Sequence, residues 1–185
     1  RSYGNIFLIL EVTEHVIEQV KKNDRRVILR LYDASFNVLM STAVRYYTNK
    51  EDQMNLVNTA FLKAVNGIKN FKAGTSYYSW LKRIAQNTVI DEFRKNKNYK
   101  KLVDLYEDSF SSPSVSFSYI EYENASAFLQ EMLDTLPPAT KLVFNLYAID
   151  GLSSKEIEKK LNIKYETIKW HVKTARRKLK VLLEK

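Results

Sequence analysis

No cysteine occurs among the 185 residues, which excludes disulfides, thiol chemistry and cysteine-built zinc sites. The two histidines, His15 and His171, are too few for a histidine-built metal site. Glycine (4) and proline (3) are scarce, which argues for long helices rather than many turns. Long apolar runs are missing too. Ile6 to Leu10 is far too short to cross a bilayer and lacks a small-residue cleavage site, so no secretory signal is expected. Paired carboxylates, a glycine-rich phosphate loop and clustered metal ligands are absent. The nearest acidic pair, Asp91–Glu92, occupies adjacent positions that do not face one site on a helix. The expectation is therefore no enzyme, no cofactor, no metal and no small-molecule substrate.

Basic charge is in excess. The net charge is +9 and the isoelectric point about 9.5, which points to a polyanionic partner. The charge is also segregated. Residues 69–101 carry nine basic and two acidic side chains, and residues 141–185 carry twelve and five. Between them, residues 102–140 hold seven acidic side chains and no Lys or Arg. Two basic modules separated by an acidic segment say more than the total does.

The stretch Phe71 to Lys97 reads FKAGTSYYSWLKRIAQNTVIDEFRKNK. A short loop holding Gly74, Thr75 and Ser76 leads into a helix from about Tyr77. Leu81, Ile84, Ala85 and Thr88 make one buried stripe, and Arg83, Asn87, Asp91 and Arg94 a polar face. Tyr77, Tyr78 and Trp80 sit where loop meets helix, beside Lys82 and Arg83. That mixture suits a surface that stacks unpaired bases and holds phosphates; taken alone, the stretch more readily reads as a core helix with a solvated basic face.

Thr13 can cap a helix to about Lys22, and a second helix is expected from Asp24 to Tyr47. Asn49 can cap a third, ending near Gly67. Residues 13–98 thus read as one helical domain of about four helices. Residues 99–125, with the Ser-rich SFSSPSVSFS and Pro113, read as a flexible linker.

The remainder, residues 126–185, is helical again. An amphipathic helix stops at Pro137–Pro138, and a second runs from Ala139 to Ile149, closed by Asp150–Gly151. Ser153 and Glu156 form a capping box. Ile157 and Leu161 line one helix, Asn162 to Lys164 make a turn, and Ile168, Val172, Ala175 and Leu179 line a longer one. This is a helix-turn-helix whose second helix points Lys169, Trp170, Lys173, Thr174, Arg176 and Arg177 outward, toward a major groove. The expected fold is all-α: two small helical domains joined by a flexible linker, the second with a helix-turn-helix.

Taken together, WLKRIAQNTVIDEFRK and LPPATKLVFNLYAIDGLSSKEIEKKLNIKYETIKWHVKTARRKL resemble regions 2 and 4 of the extracytoplasmic-function class of bacterial sigma factors. The resemblance covers about residues 24–97 and 126–185. It implies a cytoplasmic, nucleoid-associated protein that binds core RNA polymerase, recognises promoter DNA, melts it and starts transcription. It also implies an anti-sigma partner, which in many members is anchored in the inner membrane. Minus-10 contacts would come from Phe71, Lys72, Gly74, Thr75, Ser76, Tyr77, Tyr78, Trp80, Lys82, Arg83, Asn87 and Arg94. Minus-35 contacts would come from Thr167, Lys169, Trp170, Lys173, Thr174, Arg176 and Arg177. Polymerase contacts would come from Asn55, Leu56, Asn58, Thr59, Phe61 and Leu62.

The chain departs from the family pattern at two places. Asn55, Asn58 and Thr59 stand where acidic and Gln contacts are usual. Lys164 occupies the N-cap of the recognition helix, where it cannot accept a hydrogen bond. The second helix-turn-helix reading is a transcription regulator of the response-regulator type. Such proteins carry an α/β receiver, and residues 13–98 show no strand–helix alternation.

Overall fold

The computed structural model describes residues 12–95 and 125–184. Residues 1–11 and the expected linker, apart from Ala125, lie outside this range. Among the described residues there are eight α-helices and no strand, as the composition predicts. Backbone contacts divide the described chain into two compact units, residues 12–43 with 49–88, and residues 44–48 with 89–95 and 125–184.

Helix α1 spans Glu14–Lys21, with Thr13 Oγ1 accepting from Val16 N at 3.4 Å. Asp24 starts α2 (Arg25–Tyr46) by accepting from the amides of Arg26 and Val27. Asn49 starts α3 (Lys50–Gly67), accepting from Glu51 N at 2.7 Å. The chain tightens into one 3₁₀ turn over Ile68–Asn70, loops, and enters α4 (Tyr77–Lys95). Leu56, Val57, Ala60, Phe61 and Ala64 form the buried stripe of α3. Leu31, Ser35 and Leu39 of α2, and Leu81, Ala85, Thr88 and Val89 of α4, are buried in the same way. Tyr47, just past the end of α2, donates to Glu92 of α4 at 2.5 Å. Phe93, which fits neither stripe of α4, lies against the Tyr47 ring, 6.4 Å between centroids.

Further along come α5 (Ala125–Asp134), α6 (Pro138–Phe144), α7 (Ser154–Leu161) and α8 (Tyr165–Leu183). Met132, Leu133, Leu136, Ala175 and Leu179 form a core, flanked by Phe128, Phe144 and Leu182. The buried Lys141 ammonium reaches Asp134 at 2.5 Å, tying α6 to the end of α5. Helix α6 does not continue to Ile149 as a plain α-helix. It widens into a π-helical turn over Asn145–Ile149, closed by Asp150 N donating to Asn145 O at 2.8 Å.

Candidate nucleic-acid interface

Two surfaces concentrate the residues expected to touch DNA. The first is the loop ahead of α4. Gly74 has φ +80°, a backbone that favours glycine, and an added Cβ would meet nothing within 4 Å. Its need is therefore conformational and not spatial. Thr75 N and Oγ1 both donate to Lys72 O, at 3.2 and 2.6 Å, closing the turn. Ser76 caps α4 by accepting from Ser79 N at 3.2 Å. Lys72, Thr75 and Ser76 are exposed, so the tip of the loop is polar and open.

Below the tip lies an aromatic cluster. Phe71 meets Tyr77 edge-on at 5.7 Å and Trp80 at 5.3 Å, and Tyr77 lies 5.9 Å from Trp80. Phe71 is 5% exposed and Tyr77 3%. Neither offers a face to a base, so both are supports of the loop rather than contacts. Ser35 Oγ donates to Leu31 O at 2.5 Å, leaving its oxygen to accept from the Tyr77 hydroxyl at 3.1 Å. Burial pushes the Tyr77 phenol up to about 12, so it stays protonated. Tyr78 and Trp80 are half-buried and keep part of their rings accessible. Along α4, Lys82, Arg83 and Arg94 are exposed and Asn87 is half-buried.

The face expected to meet the polymerase is sorted the same way. Asn55, Asn58 and Leu62 of α3 are exposed, and Thr59 is half-buried. Asn58 accepts from Tyr32 of α2 at 3.0 Å. Leu56 (fully buried) and Phe61, whose ring meets Tyr32 edge-on at 5.0 Å, belong to the core and are not available as contacts.

The second surface is α8. Its partner α7 begins with the expected capping box: Glu156 N donates to Ser153 Oγ at 3.3 Å, and Ser153 N donates to Glu156 Oε2 at 2.8 Å. Asn162 ends α7 in the left-handed conformation, φ 54°. Lys164 holds the N-cap position of α8 with no side-chain hydrogen bond. Lys169, Lys173, Arg176 and Arg177 are exposed and Trp170 is half-buried.

Thr174, expected outward, is buried, and so is Thr167. The cause is that α5, α6 and α7 all pack on α8, so its covered arc is wider than the Ile168–Val172–Ala175–Leu179 stripe. His171 lies in that wider arc, 2% exposed, with Nδ1 3.0 Å from Thr140 Oγ1 and Nε2 buried without a hydrogen-bond partner. Burial holds its pKa down at about 4. It is a neutral core residue.

Beside α8 runs a groove whose lining includes Tyr147, Ser154 and Tyr165, which the sequence did not single out. Tyr165 stands one helical turn before Lys169, whose ammonium lies 5.3 Å from its ring centre, and that spacing was readable. Tyr147 is remote in sequence from α8 and carried no local signal.

Comparison with known proteins fits this layout. Residues 31–99 match the family described as Sigma-70 region 2, and residues 129–179 match Sigma-70, region 4. The RNA polymerase sigma factor SigZ of Bacillus subtilis is 29% identical over 150 residues, 80% of this chain and 83% of the relative. The ECF RNA polymerase sigma factor SigW of the same organism is 27% identical over 173 residues, 89% and 92%. The ECF RNA polymerase sigma factor SigE of Mycolicibacterium smegmatis is 30% identical over 146 residues, 77% of this chain and 56% of the relative. With both sigma-70 regions in order along a helical chain, the protein belongs to the sigma-70 family of RNA polymerase sigma factors, in its extracytoplasmic-function class.

Proposed function

We propose that the chain acts as the promoter-specificity subunit of RNA polymerase, a non-enzymatic role. In this reading residues 13–98 bind core polymerase and the minus-10 element, residues 99–125 connect, and residues 126–185 bind the minus-35 element. The observation that carries it is α8 after its left-handed turn, with Lys169, Lys173, Arg176 and Arg177 exposed. The response-regulator reading is not favoured, because residues 12–95 are helical throughout their regular elements, unlike an α/β receiver. The protein works in the cytoplasm on the nucleoid, and an anti-sigma factor, membrane-anchored in many relatives, holds it inactive until it is needed. Limited proteolysis should cut first within residues 102–123; a first cut inside residues 50–95 would count against the domain boundaries.

Melting is the informative step. Flipping a base out of the duplex costs a few kcal/mol, and each stacked base returns about 1–3 kcal/mol. Tyr78 and Trp80 are the rings left with accessible surface, and the open tip Lys72–Ser76 is where an unpaired base would enter. Asn87 supplies an amide able to make a bidentate contact to a base edge. Lys82, Arg83 and Arg94 supply positive charge to neighbouring phosphates.

The direct test is run-off transcription with bacterial core polymerase on a promoter library, followed by permanganate footprinting of the promoter obtained. Asn87→Ala should leave polymerase binding intact and abolish opening of linear promoter DNA. A double Thr75→Ala, Ser76→Ala change should do the same, although loss of the Ser76 cap also costs about 0.5–2 kcal/mol. A premelted bubble rescues a defect in duplex opening and does not rescue a defect in base capture. Wild-type opening by both variants places the melting site elsewhere.

A further inference from the structure

The open groove beside α8 has a volume of about 640 Å³, and its lining includes Tyr147, Ser154, Tyr165, Lys169, Lys173 and Arg176. Two of its cations stand over its aromatic rings. The Arg176 guanidinium carbon lies 5.9 Å from the centre of the Tyr147 ring, and Lys169 stands over Tyr165. The lysine contact is local, within one turn of one helix. The arginine contact is not. Tyr147 comes from the π-helical turn that ends α6, and turns of that kind recur at functional sites. Tyr147 is itself half-buried, and the Arg176 guanidinium stands over its ring.

An arginine on a helix surface has several rotatable bonds and, in water, many orientations. A ring under the guanidinium limits them, because the cation is attracted to the negative face of the ring. The orientation so fixed is useful for one kind of partner. The guanidinium fork matches two oxygens of a phosphate. Arg176 also lies eleven residues beyond Tyr165, about 16 Å along the helix axis. Recognition helices read base edges with their N-terminal residues, so a cation this far along meets the sugar–phosphate backbone.

We infer that Tyr147 is a positioning residue, whose ring holds the Arg176 guanidinium at the mouth of this groove, directed at a phosphate of the minus-35 duplex. The inference rests on the reading of α8 as the minus-35 helix. It adds a residue outside the helix-turn-helix itself, supplied by the preceding π turn. Tyr147 acts through Arg176; its hydroxyl has no part in the contact.

The test uses holoenzyme assembled on bacterial core polymerase, with the promoter recovered from the library, measured by competition binding across a range of KCl concentrations. Arg176→Ala should weaken binding and lower the salt slope by about one ion. Tyr147→Ala should weaken binding roughly two- to fivefold, the worth of an exposed cation–π pair, and should lower the salt slope in the same direction. Tyr147→Phe should bind as the wild type does, because the ring is kept. The Tyr147→Ala, Arg176→Ala double variant should bind no worse than Arg176→Ala alone.

Additive losses in the double variant, or a Tyr147→Ala variant with an unchanged salt slope, overturn the inference and leave Tyr147 a structural residue. A Tyr147→Phe variant as weak as Tyr147→Ala overturns it in favour of a hydroxyl contact. If Tyr147→Ala does not fold, Tyr147→Leu keeps apolar volume without an aromatic face and decides the same comparison. Wild-type binding by Arg176→Ala ends the inference by itself; the reading of α8 falls only if Lys169→Ala and Lys173→Ala also bind normally.

Discussion

The loop ahead of α4 and the face of α8 are built from the same ingredients, aromatic rings beside Lys and Arg, but only the loop buries two of its rings, Phe71 and Tyr77, beneath a polar tip. At the loop, Phe71 and Tyr77 are buried, and the polar tip Lys72–Ser76 is what solvent sees. At α8, Tyr147 and Trp170 are half-buried and Tyr165 is exposed, and two rings lie under cations. Buried rings fix the shape of a loop that would otherwise be mobile, which suits capture of a single displaced base. Surface rings orient charge, which suits docking on a preformed duplex. Composition cannot separate these uses, and burial separates them only in part: Phe71 and Tyr77 are buried, whereas Tyr78 and Trp80 are half-buried, as Tyr147 and Trp170 are.

The largest effect that would break this contrast is at Phe71. Phe71→Ala should destabilise the protein by about 3–5 kcal/mol, as truncation of a buried aromatic does. Tyr165→Ala should stay within about 0.5 kcal/mol, as an exposed substitution. Hydrogen exchange resolved by segment is the measurement, because the chain has two units and a single unfolding curve would mix them. Faster exchange should appear in α4 and the 3₁₀ turn and be absent from α8. Equal effects of the two substitutions would mean that the rings are not divided into buried and surface sets.

A smaller effect isolates the core of the helix-turn-helix. His171 is held at about pKa 4 by burial, below its ordinary 6.5. Between these values the unfolded chain carries a proton that the folded chain does not. Stability is therefore unaffected above about pH 6.5 and declines as pH falls toward 4, by at most about 3 kcal/mol. Urea titrations at pH 7 and pH 5 should show this decline in wild type and much less of it in His171→Leu. An identical pH dependence in both proteins would show that the histidine is charged or solvated when folded.

Local chemistry explains which features were legible in the sequence. Caps at Thr13, Asn49 and Ser153 each depend on a side chain and an amide two or three residues away, and all three form as expected. The inner stripes of α7 and α8 follow from helical spacing alone. What spacing does not give is the width of a stripe. Thr174 and Thr167 border the inner stripe of α8 and are covered because three helices pack there, a fact that lies in residues far along the chain. Leu56 and Phe61, expected at the polymerase surface, are buried because they lie on the apolar stripe of α3 with Val57, Ala60 and Ala64. The π turn and the placement of Tyr147 had no sequence signal, since one extra residue in a helical turn leaves composition and approximate period unchanged.

The smallest effects concern the two helix starts of the helix-turn-helix, where the contrast is between a complete cap and a missing one. Ser153→Ala removes an acceptor for Glu156 N and should cost about 1 kcal/mol. At α8 the position is held by Lys164, which is exposed and makes no side-chain cap bond. Lys164→Ser places an acceptor there and should stabilise the second helical region by up to about 1 kcal/mol, seen as slower exchange in the first turn of α8. A helix start is also a favourable place for a phosphate, and a lysine beside it adds attraction. The same substitution should therefore weaken minus-35 binding and lower its salt slope by about one ion. If stability rises and binding is unchanged, the lysine contributes nothing to DNA and the absent cap has no functional return. If stability does not rise, the first-turn amides of α8 are already satisfied by another group, and Lys164 is not a deficit at all.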